Sequence, residues 1–492
     1  MGVVINQASK NAISILIGTI LGAVNTILIL PKAFEGFEEG WGLLKVMTAY
    51  ALIFSQFFHG GIPNTVIRYF PQLTIQTRPA FLRWAFTIPV LGSIIFLLLF
   101  LLLGNDTLRL VQEGDAALLQ PHRWELIILT ISLIVFYALN GYLSAVLKTT
   151  VYQFLNETFL KAWFMLVALL FWFDMCSFET LLFVYVGGYV LASVILLIHS
   201  LQTGLSFSRG EFPLQKKELY NYSFYSILDR GAAILVNNLD IIMVGMLIGL
   251  NEVAYYTLAF YIGSVSLLPQ KSLLSIANPI TSKAIAEKNH AALLDIYRQS
   301  SQVQLLFGGY IFVSIWVCIN EILHLLPNQY QEGMWVVFFI GMAKMFYMAT
   351  GVSGGILVYS QHYRLNFRLN LILIFLTIGT NYLFISPTVF DMGITGAALA
   401  TALSFMLYNS MKVYYVRKYF KITPFTSTYY ITILWLVTMS ALFYWQPFPN
   451  SPFIAIILKG MLTTIMTFGV AYYFKLAPEA FGMLARMKTR NK

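Results

Sequence analysis

Cysteine, histidine and charged residues are all scarce in this chain of 492 residues. It contains 2 Cys and 6 His, and charged residues make up only 11% of the total. Two cysteines cannot form a disulfide framework, and neither residue type is spaced as a set of metal ligands. A soluble domain of this size needs far more charge on its surface. The composition therefore excludes a disulfide scaffold, a Cys/His metal protein and an ordinary soluble enzyme.

Long apolar runs take the place of that missing charge. Hydrophobic residues make up 58% of the sequence, and the mean hydropathy is +0.73. Runs of about twenty apolar residues are long enough to cross a bilayer as helices. We therefore predict an all-α polytopic membrane protein with about fourteen transmembrane helices. Their approximate positions are 11–31, 42–62, 85–104, 126–147, 162–177, 180–200, 222–248, 253–277, 303–325, 334–358, 369–386, 392–414, 429–446 and 453–474.

The basic residues are distributed unevenly between the two sides that these spans define. Of the 31 Lys and Arg, only Lys32, Arg109 and Arg123 fall in loops on the side opposite the N-terminus. Basic loops remain in the cytoplasm. We therefore predict a multi-pass protein of the cell inner (plasma) membrane with both termini cytoplasmic and a basic tail, 475–492, on the inner leaflet. The net charge of +10 then reflects topology and contact with anionic membrane lipids, and not nucleic-acid binding.

The loops between the spans are too short to fold into a catalytic domain. The longest, 105–124 and 202–219, have about twenty residues each. Neither paired carboxylates nor a Cys/His cluster occurs at helical spacing. We therefore predict no enzyme activity, with no catalytic residue, metal or cofactor, and instead the movement of a substrate through the membrane.

The seventh predicted span carries charged residues in a polar stripe. At 100° per residue, one arc roughly 120° wide contains Tyr222, Ser223, Ser226, Asp229, Arg230, Asn237 and Asp240. A charge at bilayer depth costs several kcal/mol unless it faces protein or water. The stripe therefore predicts one wall of an internal cavity, and a buried ion pair that locks helix packing is the alternative.

Three other spans have similar stripes. Their members are Gln7, Asn11, Ser14, Gly18, Gly22 and Asn25 in the first, Lys45, Thr48, Ser55, Gln56 and His59 in the second, and Thr257, Ser264, Lys271, Ser275 and Asn278 in the eighth. Each stripe also has a structural interpretation, because small residues pack helices closely and a lysine near a span end can snorkel, as Lys45 and Lys459 could. Lys344 lies about ten residues from either end of the tenth span, too deep to snorkel easily.

A weak internal repeat relates the two halves of the chain. At an offset of 213 residues, Asn25 corresponds to Asn238, and the segment that begins at Gly36 corresponds to the one that begins at Gly249. Six spans separate the copies, so both run in the same direction, as parallel repeats do. Substrate sites of such transporters lie between the repeats.

Two motifs resemble a known family. The segment 238–245, NLDIIMVG, and the following 253–259, VAYYTLA, resemble the seventh and eighth spans of polysaccharide flippases. The segment 391–401, DMGITGAALAT, is similar to the glycine- and alanine-rich twelfth span of the same family. These flippases belong to the multidrug/oligosaccharidyl-lipid/polysaccharide exporter superfamily.

The resemblance implies a fold and an activity. The expected fold has two six-helix bundles in parallel repeat around a central cavity, over 1–210 and 211–425, with two extra transmembrane helices over 426–474. The expected activity is alternating access that moves an undecaprenyl-pyrophosphate-linked oligosaccharide from the inner to the outer leaflet, for a surface polysaccharide such as the O-antigen of lipopolysaccharide. In that family helices one, two, seven and eight line the cavity, and these are the four helices with polar stripes here.

The chemistry of such a ligand assigns roles to the polar residues. Pyrophosphate needs cations, so the candidates for binding it are Arg230, Lys344, Lys271 and Lys45. The candidates for lining the cavity around the sugars are Asn25, Gln56, His59, Tyr222, Asn237, Tyr261 and Ser264. Asp229 and Asp240 are candidates for coupling to H⁺ or Na⁺, and the sequence does not distinguish the two ions.

Two other functions remain open at this point. One is a cation-coupled multidrug exporter of the same superfamily, and the other is a membrane-embedded glycan polymerase or ligase. For the flippase we expect a monomer, with membrane lipids around it and a glycan polymerase or glycosyltransferase as possible partners.

Overall fold

The computed structural model describes the backbone of residues 2–111, 121–212, 214–444 and 451–476. Within these ranges it describes the side chains of all residues except 2–9, 12, 103–111, 229, 271, 272, 275 and 363. All regular secondary structure in the described ranges is helical. The predicted all-α architecture is confirmed. Most of the basic tail, from residue 477 onward, lies outside the described residues.

The chain divides into two compact units, Met1–Ala254 and Tyr255–Lys492. The first contains α1 (Gly2–Ala23, continued by a π-helical segment, Val24–Ile29, and by Leu30–Ala33), α2 (Glu38–Phe58), α3 (Ile62–Tyr69), α4 (Arg78–Val111), α5 (Arg123–Ala145), α6 (Thr150–Trp172), α7 (Phe178–Gln202) and α8 (Lys216–Leu247). The second contains most of α9 (Leu250–Ser264), then α10 (Leu268–Ala286), α11 (His290–Val317), α12 (Ile319–His324), α13 (Met334–Ala349), α14 (Ser353–Tyr359), α15 (Tyr363–Ile385), α16 (Gly393–Phe420), α17 (Ser427–Tyr444) and α18 (Pro452–Tyr473).

Twelve helices of the described residues are long and apolar enough to cross a membrane. The predicted spans 253–277 and 392–414 are not among them. The first is interrupted, because α9 ends at Ser264 and a 3₁₀ turn, Val265–Leu267, precedes α10. The second lies in α16, which has 28 residues but many Gly, Ala, Ser, Thr and Asn that lower its hydropathy. The count of fourteen therefore stays a prediction.

Two helices begin well before the predicted spans. Helix α6 starts at Thr150 and ends at Trp172, where the sequence predicted 162–177, and α11 starts at His290, where it predicted 303. In both cases charged residues in the first turns, such as Glu157 in α6, lower the hydropathy without ending the helix. Both helices therefore extend beyond the predicted spans at their first ends.

Helix α8 groups with the first unit, whereas the sequence placed it at the start of a second bundle from residue 211. It packs antiparallel along α2 through two close approaches, in which Val46 lies against Gly245 and Gln56 lies against Gly231. Just beyond α8, Gly42 lies against the backbone of Leu250, the first residue of α9, where a Cβ would overlap it. Small residues therefore allow these helices to approach each other closely. The division into two six-helix bundles stays a prediction.

Helix α18 is held to its neighbours in the second unit by an ion pair whose lysine is buried and whose carboxylate is half-buried. Lys459 is 2% exposed, and its Nζ lies 2.6 Å from a carboxylate oxygen of Glu321 and 3.0 Å from the carbonyl oxygen of Val317. This lysine therefore does not snorkel. It connects α18 to the end of α11 and to α12.

Candidate functional site

The first part of the α8 stripe serves helix packing. The Ser223 hydroxyl forms a hydrogen bond with the Thr65 hydroxyl at 2.6 Å, and the Asn64 amide donates to the Ser226 hydroxyl. Both serines are buried. They fix α8 against α3, which is the structural alternative to a cavity wall for these two positions.

Arg230, midway along α8, is different because its side chain is exposed. It lies close enough to His59 and to Tyr152 of α6 to act on both electrostatically. Among the described side chains, no carboxylate forms an ion pair with it. A guanidinium that is open at membrane depth suits an anion with several oxygens, which it can contact bidentately.

His59, just after the end of α2, is held in one orientation. The backbone N–H of Gly61 donates to its Nδ1 at 3.1 Å, so Nδ1 carries no proton and Nε2 is the donor. The ring lies edge-on to Tyr137, with centroids 6.4 Å apart. Gly61 has a φ of +67° and abuts the carbonyl of Ser223, so only glycine fits there without strain. The backbone thus positions the imidazole beside Arg230.

Glu157 is a membrane carboxylate that the sequence analysis missed. It lies in a π-helical segment of α6, Leu155–Phe159, and pairs with Lys161 one turn later at 3.1 Å. It also acts electrostatically on Tyr137 and Tyr152. We call His59, Tyr137, Tyr152, Glu157 and Arg230 the unit 1 polar cluster, and it combines a cation, an acid and three hydrogen-bonding rings.

The π-helical segment of α1 contains another predicted residue, Asn25. This side chain is 3% exposed, and its Oδ1 has no hydrogen-bond partner in the described part of the chain. Earlier in the same helix, Gly18 lies directly on the backbone carbonyl of Glu157, where a Cβ would overlap it. Helix α1 therefore packs on the π-helical segment of α6, and π segments are frequent at functional sites.

The other predicted residues of α2 and the early turns of α8 occupy mixed environments. Gln56 is buried, and no partner for its Nε2 occurs among the described residues. Lys45 is half-buried near the other end of α2. Tyr222 is half-buried beneath Arg68, whose guanidinium lies 4.4 Å from the ring centroid. Of these residues, Gln56 is the one near the unit 1 polar cluster, because it lies one turn before His59 at the end of α2.

The later polar residues of α8 also differ from one another in their exposure. Asn237 is exposed, and its Nδ2 donates to the carbonyl oxygen of Ala233 at 2.9 Å. Asp240 is 4% exposed and has an interaction partner within the structure. The side chain of Asp229 lies outside the described residues. Asp240 is thus placed inside the protein, in the position that a packing group or a coupling group requires.

In the second unit two lysines are covered by aromatic rings. Lys344 of α13 is 5% exposed, with its Nζ 5.2 Å from the ring centroid of Phe260 and 4.6 Å from that of Phe405. Lys412 of α16 is also buried, with its Nζ 4.0 Å from the ring centroid of Tyr408. Cation–π contacts of this kind compensate part of the lost hydration of an ammonium. Lys344 is therefore enclosed, whereas Arg230 is open.

The remaining predicted positions of the second unit lie at the end of α9 and at the start of α10. Tyr261 and Ser264 are half-buried, and the Ser264 hydroxyl is enclosed without a partner among the described residues. The side chain of Lys271 lies outside the description. In the described residues, no group of three or more His, Cys, Asp or Glu could hold a metal ion.

The structure thus brings together part of the predicted set. His59 and Arg230, with Gln56 nearby, lie in one region of the first unit. Tyr152 and Glu157 join them, although the sequence analysis missed both because it started the fifth span at 162. The signal was the apolar spacing from Val151 onward, which continues the helix through the charged positions.

Comparison with known proteins identifies the family. The profile described as "Polysaccharide biosynthesis protein" matches residues 8–285, more than half of the chain. The chain belongs to this family. A similar curated protein is the "Probable low-salt glycan biosynthesis flippase Agl15" of Haloferax volcanii, which is 23% identical over 253 residues, or 48% of this chain and 53% of that protein. The chain therefore matches about half the length of this curated relative.

Solved structures show the fold of the family over nearly the whole chain. The structure described as "Lipid II flippase MurJ, inward closed conformation" has a TM-score of 0.77 at 13% identity, and the match covers 95% of this chain and 99% of that one. An inward-facing multidrug resistance MATE family transporter of the MOP superfamily has a TM-score of 0.62 at 12% identity, covering 85% and 98%. The predicted resemblance is confirmed at the level of the family, and the chain has the same fold as these flippase and transporter structures.

Proposed function

We propose that this chain is a flippase that moves a polyprenyl-pyrophosphate-linked oligosaccharide from the inner to the outer leaflet by alternating access. It acts in the biosynthesis of a surface polysaccharide, such as the O-antigen of lipopolysaccharide, in the inner membrane with both termini in the cytoplasm. The names of its relatives support a flippase, since one is described as a glycan biosynthesis flippase and another as a lipid II flippase.

The observation that carries this proposal is the open guanidinium of Arg230. An exposed cation on a membrane-spanning helix costs free energy that a ligand or water must offset. Pyrophosphate offers the oxygens that a guanidinium binds bidentately. The polyprenyl tail can remain in lipid during transfer, so only the phosphates and sugars need a polar path.

The neighbours of Arg230 suit the sugar part of the ligand. Tyr137 and Tyr152 are half-buried and have hydroxyls and ring faces. His59 supplies an Nε2–H, and Gln56 has an amide without a partner among the described residues, but both side chains are buried and reach a ligand only when the cavity opens. Hydroxyl-rich ligands need such donors and aromatic surfaces. Lys344, which is enclosed in this structure, would contribute to pyrophosphate binding only after Phe260 or Phe405 moves. Lys45 and Lys271 stay candidates for the same role.

A carboxylate within the membrane helices is the proposed coupling group. Asp240 is buried, and Asp229 and Glu157 are further candidates in the first unit. Asp240→Asn keeps the shape of the side chain and removes its titration. If Asp240 couples transport to H⁺ or Na⁺, this variant should lose the dependence of transport on the ion gradient while its melting temperature stays unchanged. Transport with wild-type ion dependence would exclude Asp240.

The proposal is tested by reconstitution of the purified chain into liposomes. A labelled polyprenyl-pyrophosphate-linked oligosaccharide is placed in the leaflet that corresponds to the cytoplasm, and its exposure on the other leaflet is measured. A fluorescent drug substrate is tested in parallel, because the multidrug exporters share this fold. Exposure of the lipid-linked glycan without drug transport supports the flippase. Drug transport alone would replace it with the exporter, and glycan elongation in place of transfer would replace it with the polymerase.

A further inference from the structure

A basic pocket lies in the first unit, away from the unit 1 polar cluster. It has a volume of about 370 Å³ and opens between the first turns of α4 and the segment that connects α7 to α8. Its polar walls consist of Arg83 and Thr87 from α4, Ser208, Arg209 and Glu211 from the connecting segment, and Lys216 at the start of α8. The pocket therefore joins three parts of the chain at one end of the membrane helices.

The connecting segment is folded onto α4 by specific contacts. The backbone N–H of Ser208 donates to the carbonyl oxygen of Pro79 at 3.4 Å. Phe212 packs edge-on against Phe81, with ring centroids 5.6 Å apart. Leu205 is buried in the same apolar core. These contacts hold Arg209 opposite Arg83, so the pocket is part of the fold and not a chance gap in a loop.

The pocket has an excess of positive charge. Arg83, Arg209 and Lys216 face one acid, Glu211, and all four side chains are exposed. Within the described part of the chain, none of the three cations forms an ion pair. Several exposed like charges around one concave surface attract an anion.

The pocket also lies next to a surface that faces hydrocarbon. Beyond Thr87, helix α4 exposes a strip of large apolar side chains, namely Val90, Leu91, Ile94, Ile95 and Leu98. Trp84 lines the pocket, and its indole N–H donates to the Tyr220 hydroxyl at 3.2 Å. Trp and Tyr are typical of the level where lipid headgroups meet the acyl chains. A lipid whose chains lie along this strip would place its headgroup in the pocket.

We propose that this pocket binds the phosphate of a lipid headgroup in the leaflet on the N-terminal side. Arg83 and Arg209 contact the phosphate oxygens, Lys216 adds a point charge, and the Thr87 and Ser208 hydroxyls complete the polar wall. Glu211 accepts a hydrogen bond from a headgroup hydroxyl. Basic pockets on the cytoplasmic side of membrane proteins recognise anionic headgroups in this way. The phosphate can come from an anionic phospholipid of the bilayer or from a polyprenyl phosphate.

The test is lipid binding by the purified full chain, measured by native mass spectrometry. Phosphatidylglycerol and polyprenyl phosphate are titrated separately, with phosphatidylcholine as the zwitterionic control. The variant is the double substitution Arg83→Gln and Arg209→Gln. Its control is Lys148→Gln with Lys217→Gln, which removes the same charge from two exposed positions of the first unit outside the pocket. This assay does not involve transport, so its outcome is independent of the proposed flippase activity.

We expect anionic lipid to bind the pocket variant about thirtyfold more weakly than the wild type at low salt, with the control little changed. Weakening for phosphatidylglycerol indicates a bilayer phospholipid, and weakening for polyprenyl phosphate alone indicates the substrate lipid as the source. Equal binding to wild type, pocket variant and control would overturn the proposal. If the double variant does not fold, Lys216→Gln is compared with Lys217→Gln, one residue further along the same helix.

Discussion

Replacing Arg230 by Gln removes the guanidinium from the unit 1 polar cluster while leaving most of the side-chain length. Gln and Arg have nearly the same helix preference, so α8 should remain intact. The side chain is exposed, and exposed substitutions usually change the free energy of unfolding by less than about 0.5 kcal/mol. The melting temperature of the variant should therefore stay close to that of the wild type.

Transport should respond much more strongly than stability. A hydrogen bond to a charged group contributes about 1.5–3 kcal/mol, so losing this contact should weaken the apparent affinity for the lipid-linked glycan roughly ten- to a hundredfold. Arg230→Lys keeps the charge but loses the fork, and its affinity should be intermediate. The assay is transfer of labelled glycan in liposomes over a range of substrate concentrations.

Lys217→Gln is the matched control, because it removes one positive charge from an exposed position near the start of the same helix. It should transport glycan with nearly wild-type affinity. The role given to Arg230 would be refuted by wild-type affinity in Arg230→Gln at normal protein levels. An equal loss in both variants would indicate that only the total charge of α8 matters.

Three further predictions concern stability and topology. Lys459→Met should lower the free energy of unfolding by about 3 kcal/mol because it leaves Glu321 uncompensated, and the double variant with Glu321→Gln should recover part of this loss in a denaturation experiment. Gly18→Ala should lower the free energy of unfolding by about 1–3 kcal/mol, because it forces a Cβ onto a backbone carbonyl. Gly187→Ala, with open space around it, should leave the stability unchanged or raise it slightly, and equal melting temperatures for the two variants would contradict this. Cys176, between α6 and α7, should react with an impermeant maleimide added outside cells. Because burial raises the pKa of its thiol, the labelling rate should keep rising with pH beyond the range of an ordinary cysteine. Labelling only from the cytoplasmic side would reverse the proposed orientation.

The helical class and most of the membrane spans follow from hydropathy, because a bilayer requires about twenty apolar residues in a helix. The same criterion fails where a helix contains charges that its neighbours accommodate. Glu157 is paired with Lys161 inside α6, so the helix continues through residues that a hydropathy average treats as a loop. Small and hydroxylated residues have the same effect in α16, which is a continuous helix of 28 residues with a low hydropathy.

The polar stripe of α8 predicted which residues are unusual but not what each one does. Ser223 and Arg230 belong to the same arc, yet Ser223 bonds to α3 and Arg230 is exposed. The difference depends on how far α3 extends along α8, which is a tertiary property without a local sequence signal. Lys344 shows the same limit, because the rings that enclose it come from α9 and α16.

The π-helical segments of α1 and α6 each add one residue to a turn, and this changes the direction of every later side chain in the helix. A π turn bonds residue i to i+5 and so contains one residue more than an α-helical turn. One residue corresponds to about 100° of rotation, so Leu30–Ala33 point about that far from where an uninterrupted α-helix would direct them. A relative without the extra residue would align with α1 only through a single-residue gap in the middle of a membrane span. In α6 the same offset turns every side chain after Phe159, so one insertion or deletion there re-aims the rest of the helix without shortening its apolar length.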